Sequence, residues 1–202
     1  MASKPIVLIL GAGSNNGSSL ARKFSADGYT VAISSRRVEN GTSPEGYITI
    51  QGDYAEKDAI PSIFERLKSV AGIPNVVIYN GKLEIMTATS NIYIMVLLLI
   101  LTYAAGMLTP PSPPDDVLSI PVTAVEKDLW VNTLSPLTAA QQAIKGFKEL
   151  PEGGNKIFIY TGNKLNSSVI PVGAYFTLGM GKAASAYWVG SADLNYSKNG
   201  YR

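Results

Sequence analysis

The chain has 202 residues, 46% of them apolar and 16% charged, with a formal net charge of +2. That length suffices for one α/β domain with a core, and the small charge gives no basis for binding nucleic acid or an anionic membrane surface. With no cysteine and no histidine, disulfides, thiolate chemistry, Ser-His-Asp triads and Cys/His metal sites are excluded, so any chemistry rests on Tyr, Lys, Ser, Thr, Asn, carboxylates or a cofactor.

The chain enters an apolar run, Ile6 to Leu10, with no signal peptide before it, so an intracellular, cytoplasmic protein is expected. Gly11-Ala12-Gly13-Ser14-Asn15-Asn16-Gly17 follows, and then a helical pattern from Ser18 to Asp27 closed by Gly28. A strand, a tight glycine turn and a helix in that order seat a pyrophosphate: the glycines let the backbone approach it, and the helix N-terminus offers unpaired N–H groups. Gly11, Gly13, Asn15, Asn16 and Gly17 are therefore expected to bind a dinucleotide.

Tyr29 to Ser34 and Tyr47 to Gln51 read as the second and third strands. Asp58 is placed to cap a helix running to about Ala71, with Ile63, Phe64, Leu67 and Val70 on its apolar face and Gly72 past its end. Pro61 falls in the first turn, where its missing N–H is harmless. Asn75 to Tyr79 reads as strand four. Alternating strands and helices imply a parallel sheet with right-handed crossovers, hence an α/β, Rossmann-type doubly wound fold in a single domain.

The pattern is interrupted from about Gly81 to Pro114. The interruption holds an apolar run from Ile92 to Leu101, extendable to Leu108, near the ~17-residue lower limit of a membrane span. It lacks basic flanks, so a transmembrane helix is not expected. The pattern then resumes. Thr123-Ala124-Val125-Glu126 reads as a capping box opening a helix to about Phe147, which Pro136 should kink. Lys156 to Tyr160 is strand five, and Thr177 to about Ser197 is the next helix. The chain ends at Arg202 where a further strand would follow, which would leave an unpaired sheet edge.

These elements and their landmarks resemble the short-chain dehydrogenase/reductase family, with the closest likeness to a divergent fungal branch. Gly11, Gly13 and Gly17 match its glycine turn, Asp53 (followed by Tyr54) the acid that binds adenine, and Asn80 the first Asn of an Asn-Ala-Gly motif. Asn132 matches the helix Asn of the proton relay, and Lys182 in Gly181-Lys182-Ala183-Ala184 the active-site lysine. The resemblance implies an oxidoreductase acting on a carbonyl or alcohol, a bound nicotinamide dinucleotide, a homodimer and no metal. Cofactor choice rests on Ser34-Ser35-Arg36-Arg37 at the end of strand two. Guanidinium groups bind phosphate bidentately, so a 2′-phosphate and NADP are favoured, with NAD the alternative.

The sequence departs from the family at the catalytic tyrosine. A Tyr four residues before the lysine would share its helix face, where the ammonium lowers the phenol pKa. Here that position is Leu178, and Tyr175 lies seven residues before Lys182. The serine after strand five is also missing from Tyr160-Thr161-Gly162-Asn163, which leaves Tyr175 or Thr161 as proton partners. The alternative is a non-catalytic NAD(P)-binding sensor or scaffold, or an inactive isoform.

Asn80 is followed by Gly81-Lys82, and the missing Ala-Gly appears as Ala105-Gly106. Removing residues 81–104 restores Asn80-Ala105-Gly106. Gly-Lys can be encoded by a splice-donor sequence, GGTAAG, and Ala-Ala by one containing a splice acceptor. Residues 81–104 are therefore expected to be a non-native insertion, a retained intron.

Overall fold

The computed structural model describes residues 4–13, 16–80, 84–85 and 107–202. β1 (Ile6–Leu10) is the centre of the sheet and all five of its residues are buried. It is flanked by β2 (Thr30–Ser35) and β5 (Val76–Tyr79); outside them lie β4 (Ile48–Gln51), with β3 (Gly41–Thr42) beyond it, and β8 (Ile157–Tyr160), in the sheet order β3-β4-β2-β1-β5-β8. The pairs β1–β2, β1–β5, β2–β4 and β5–β8 are parallel. Burial on both faces explains why β1 and β5 read as continuous apolar runs rather than alternating ones. The edge strand β3 (Gly41–Thr42), which the sequence reading missed, pairs antiparallel with β4.

Helices cover both faces. α1 (Asn16–Ala26) packs Ala21, Leu20 and Phe24 against Val7, Ile9, Val31, Val76 and Ile78. α2 (Ala59–Val70) and α4 (Ser135–Phe147) cover the other face, where Ile63, Leu67, Ala139, Ala143 and Phe147 meet Leu8, Leu10, Ala32 and Val77. α5 (Phe176–Tyr196) lies over β8 on that same face, with Trp188 against Phe158 and Tyr160. Removing this apolar surface from water is the main drive for the layered arrangement.

Several local expectations need correction. Val70 is 56% exposed and not part of the α2 apolar face, because its position in the last turn has rotated past the edge of the stripe. Asp58 is the N-cap residue of α2, but its side chain makes no capping bond. The Thr123–Glu126 capping box does not form. Pro121 caps α3 (Val122–Leu129) with extended backbone, so Thr123 already lies inside the first turn. Gly72 does close α2, at φ 118°. The open edge of β8 is paired at one point: Arg202 N–H donates to the Lys156 carbonyl at 3.0 Å and Phe158 N–H to the Arg202 carbonyl at 2.7 Å.

Most of the segment 81–104 lies outside the described residues. β6 (Glu84–Ile85) pairs in parallel with β7 (Met107–Leu108). No helix among the described residues is long and apolar enough to cross a membrane, and the run from Ile92 lies outside them up to Gly106.

Candidate functional site

Parallel strands in register bring their C-terminal ends to one edge. Leu10, Ser34, Tyr79 and Tyr160 align there, so the segments that follow β1, β2, β4, β5 and β8 all open onto that edge, where α/β sheets bind ligands.

The glycine turn leaves β1 with Gly11 at φ 87°, a backbone state that side chains rarely adopt. Gly11 N–H points to two acceptors, the Ser34 carbonyl at 3.0 Å and the Tyr54 hydroxyl at 2.7 Å. The Asn80 amide donates to the Gly11 carbonyl at 3.0 Å, and Gly13 N–H turns back onto that carbonyl at 2.9 Å. A Cβ on Gly17 would lie 2.5 Å from the Ala12 Cα, so only glycine lets the turn rest on the start of α1. Asn16 begins α1 and is exposed, whereas Asn15 lies outside the described residues. A glycine turn on a helix N-terminus can hold an anion.

Beside it, Ser35 is half-buried and Arg36 and Arg37 are exposed. Gln51 ties their loop to β4: its amide donates to the Arg36 carbonyl at 3.1 Å and its N–H to Asn40 Oδ1 at 3.0 Å. The Ser34 hydroxyl is buried with no hydrogen-bond partner, an unsatisfied group such as a ligand or water could meet. Asp53 is exposed and its carboxylate accepts from Ala55 N–H at 3.1 Å. Tyr54, expected to contact a cofactor, is instead buried beneath the turn. Its hydroxyl donates to the Ser34 carbonyl at 2.8 Å, and burial raises its pKa, so it stays a neutral strut. Exposed guanidiniums and a carboxylate around an anion-binding turn supply the cationic donors and the acceptor that fit a dinucleotide.

At the other end of the edge, Asn132 is buried and mimics a strand partner. Its Oδ1 accepts from Met107 N–H at 2.7 Å and its Nδ2 donates to the Met107 carbonyl at 2.6 Å. Its side-chain amide is therefore engaged with backbone. Lys182 is 1% exposed. Its ammonium donates to the Thr161 carbonyl at 3.0 Å and sits 4.6 Å from the centroid of the Tyr160 ring. Burial lowers its pKa to about 8. Thr161 directs its hydroxyl to the Tyr79 carbonyl at 3.3 Å.

Tyr175 is not brought to Lys182 by a shared helix, since it ends a short 3-10 turn before α5. It packs with Leu108, Leu165 and Leu178, its hydroxyl has no partner, and burial raises its pKa. Leu178, where a tyrosine would share the Lys182 face, fills the same apolar cluster.

The sequence reading missed how Pro136 shapes this region. Between α3 and α4 the backbone forms a π turn, Trp130–Leu134. Pro136 has no N–H to offer the carbonyl four residues back, which is that of Asn132. Tyr160 and Ser185 take its place, donating to the Asn132 carbonyl at 3.3 Å and 2.9 Å. Ser135 N–H reaches to Trp130, and Tyr79 donates to the Val131 carbonyl at 3.0 Å. Tyr54, Tyr79 and Tyr160 thus form an aromatic row, 5.7 and 6.2 Å between centroids, with every hydroxyl on a backbone carbonyl. Tyrosines at the ends of β5 and β8 and three residues past β4 were the available signal.

Comparison with known proteins agrees with this fold. The chain is 36% identical over 201 residues to a short chain dehydrogenase/reductase of Cryptosporiopsis sp. (strain 8999), covering 99% of this chain and 74% of the relative. No family model matches. Among solved structures, a Serratia marcescens short-chain dehydrogenase/reductase double mutant superposes with a TM-score of 0.71 at 16% identity, covering 98% of this chain and 74% of that one. A Brucella ovis oxidoreductase of the same family, in complex with a partially ordered NAD, gives 0.70 at 19% identity over 99% and 81%.

Proposed function

This chain belongs to the short-chain dehydrogenase/reductase family, and within it we propose an NADP(H)-dependent oxidoreductase acting on a small carbonyl or alcohol. The observation that carries the reading is the glycine turn, clasped by Tyr54 and Asn80 and flanked by the exposed Arg36 and Arg37. Gly11, Gly13, Asn15, Asn16 and Gly17 would hold the pyrophosphate, Ser35, Arg36 and Arg37 the 2′-phosphate, and Asp53 the adenine.

A nicotinamide cofactor, when bound, would supply hydride-transfer chemistry. The protein's part is to hold the cofactor and manage one proton. Lys182, already desolvated, holds the ribose, and the Thr161 carbonyl and Asn132 fix the surroundings of that lysine. Leu178 cannot donate a proton. Tyr175 is the better of the two remaining donors, because its hydroxyl has no partner while that of Thr161 is engaged. The Tyr175 phenol is protonated at neutral pH as an ordinary tyrosine is, and burial raises its pKa further.

Residues 81–104 are read as an insertion into this single domain. Its flanks support this: Tyr79 bonds the Val131 carbonyl and Met107 pairs with the adjacent Asn132, so the described residues on either side of the segment meet one turn, while Glu84–Ile85 within it pairs only with β7. A homodimer is read through α5, where Met180, Tyr187 and Leu194 stand exposed at 40%, 82% and 79%, seven residues apart along one stripe.

Fluorescence titration with NADPH and NADH tests the cofactor reading. At least tenfold tighter binding of NADPH is expected. Equal or tighter NADH binding overturns the NADP preference, and binding of neither overturns the dinucleotide reading.

A further inference from the structure

Lys182 carries its charge in an unusual setting. Its ammonium is buried, and the partners at hand are neutral: the Thr161 carbonyl at 3.0 Å and the Tyr160 ring face at 4.6 Å. An aromatic face attracts a cation through its quadrupole, most strongly when both are desolvated. The ring is itself held. It stacks on Tyr79 at 6.2 Å with 27° between planes, meets Trp188 at 6.3 Å, and its hydroxyl is tied to the Asn132 carbonyl at 3.3 Å.

We propose that Tyr160 is the positioning residue of Lys182, its ring face bearing the ammonium and its hydroxyl fixing the ring on the carbonyl that Pro136 leaves open. A tyrosine serving only to pack would need no such anchor. Here the proline frees one acceptor, the phenol takes it, and the ring is locked where the lysine docks. The arrangement draws a lysine-aromatic pair from β8 and α5, whereas the one-turn spacing within α5 offers only Leu178.

The other titratable groups on elements packed against α5 are otherwise engaged or turned away. Asp128 of α3 accepts from Thr177 at 2.7 Å, Glu126 and Lys127 of α3 are exposed, and so is Lys164 of the 3-10 turn Lys164–Asn166. Tyr175 sits in its leucine cluster, and Tyr79 bonds Val131. The proposal rests on the family reading only in that Lys182 is the lysine that meets the cofactor.

The test is a 13C NMR titration of lysine Cε resonances in the full chain without cofactor, with Lys182 assigned by loss of its signal in Lys182→Arg. The wild-type inflection is expected near pH 8. Tyr160→Phe keeps the ring face but loses its anchor, and should lower the inflection by no more than about 0.3 pH units. Pentafluorophenylalanine at position 160, of similar size but with a reversed quadrupole, should move the inflection down by about half to one pH unit. An inflection identical for phenylalanine and its pentafluoro analogue overturns the proposal, as does an equal shift in both. NADPH titration of the same wild-type sample is read separately: a pH shift without NADPH binding sustains the role of Tyr160 and defeats the cofactor reading instead.

Discussion

The Tyr54 hydroxyl lies 2.7 Å from the Gly11 amide nitrogen and donates in turn to the Ser34 carbonyl at 2.8 Å. One phenol thus joins the glycine turn after β1 to the end of β2, the two segments proposed to hold the pyrophosphate and the 2′-phosphate. Tyr54→Phe removes both bonds while keeping the ring in the core. It should lower stability by about 1–3 kcal/mol, since a buried N–H and carbonyl each lose a partner, and should weaken NADPH binding. Chemical denaturation and fluorescence titration measure the two effects; unchanged values in both would remove Tyr54 from this role.

Arg36→Ala and Arg37→Ala separate the two cofactors. A charge-assisted bond to phosphate contributes about 1.5–3 kcal/mol, so loss of the pair should weaken NADPH binding by roughly ten- to a hundredfold or more and leave NADH nearly unaffected. Parallel loss of both would instead assign the arginines to folding or to the pyrophosphate.

Stability should rise and then fall on the alkaline side. The folded state holds Lys182 near pH 8 against ~10.5 for a free lysine. Between those values the unfolded chain binds more protons, and stability increases with pH. Above about pH 10 the unfolded chain can ionise tyrosines that burial keeps protonated in the fold, with Tyr160 pushed up to about 12 and Tyr79 well above its ordinary value, so stability then declines. Thermal melts from pH 7 to 11 should show the maximum, and Lys182→Met should flatten the rising limb only. A rising limb that survives the substitution would contradict the burial argument.

Removing residues 81–104 takes β6 away from β7 but should leave the six-stranded sheet intact and raise soluble yield, because Tyr79 and Met107 on either side of the segment meet the adjacent Val131 and Asn132. Circular dichroism and melting temperature compare the two forms. A variant that fails to fold, or a mature transcript that always retains these codons, would end the insertion reading.

The α5 stripe is tested by sedimentation velocity. The wild-type chain is expected to sediment as a dimer and Tyr187→Glu as a monomer with an unchanged melting profile. A monomeric wild type at micromolar concentration would rule the interface out.

Much of the architecture was legible because burial on both faces writes a parallel strand as an apolar run: Ile6 to Leu10 and Val76 to Tyr79 are buried throughout. The glycine turn was legible because Gly11 and Gly17 each meet a backbone demand no other residue satisfies. β3 was not, since two residues, one of them glycine, carry no periodicity. The Asn132–Met107 clasp and the lysine on Tyr160 were hidden for another reason. Both join residues distant in sequence, and the Tyr160 anchor further depends on one missing N–H at Pro136, which the sequence marked only as a kink.

That π turn also has a consequence for helical phase. The run from Val122 to Phe147 is two helices whose faces are offset by the extra residue per turn within Trp130–Leu134. A wheel drawn through it as one rod assigns the wrong inward side to one half. Any relative that lacks a proline at this place should carry the helix in a single phase, and its alignment to this chain will then need a one-residue gap inside what looks like uninterrupted helix.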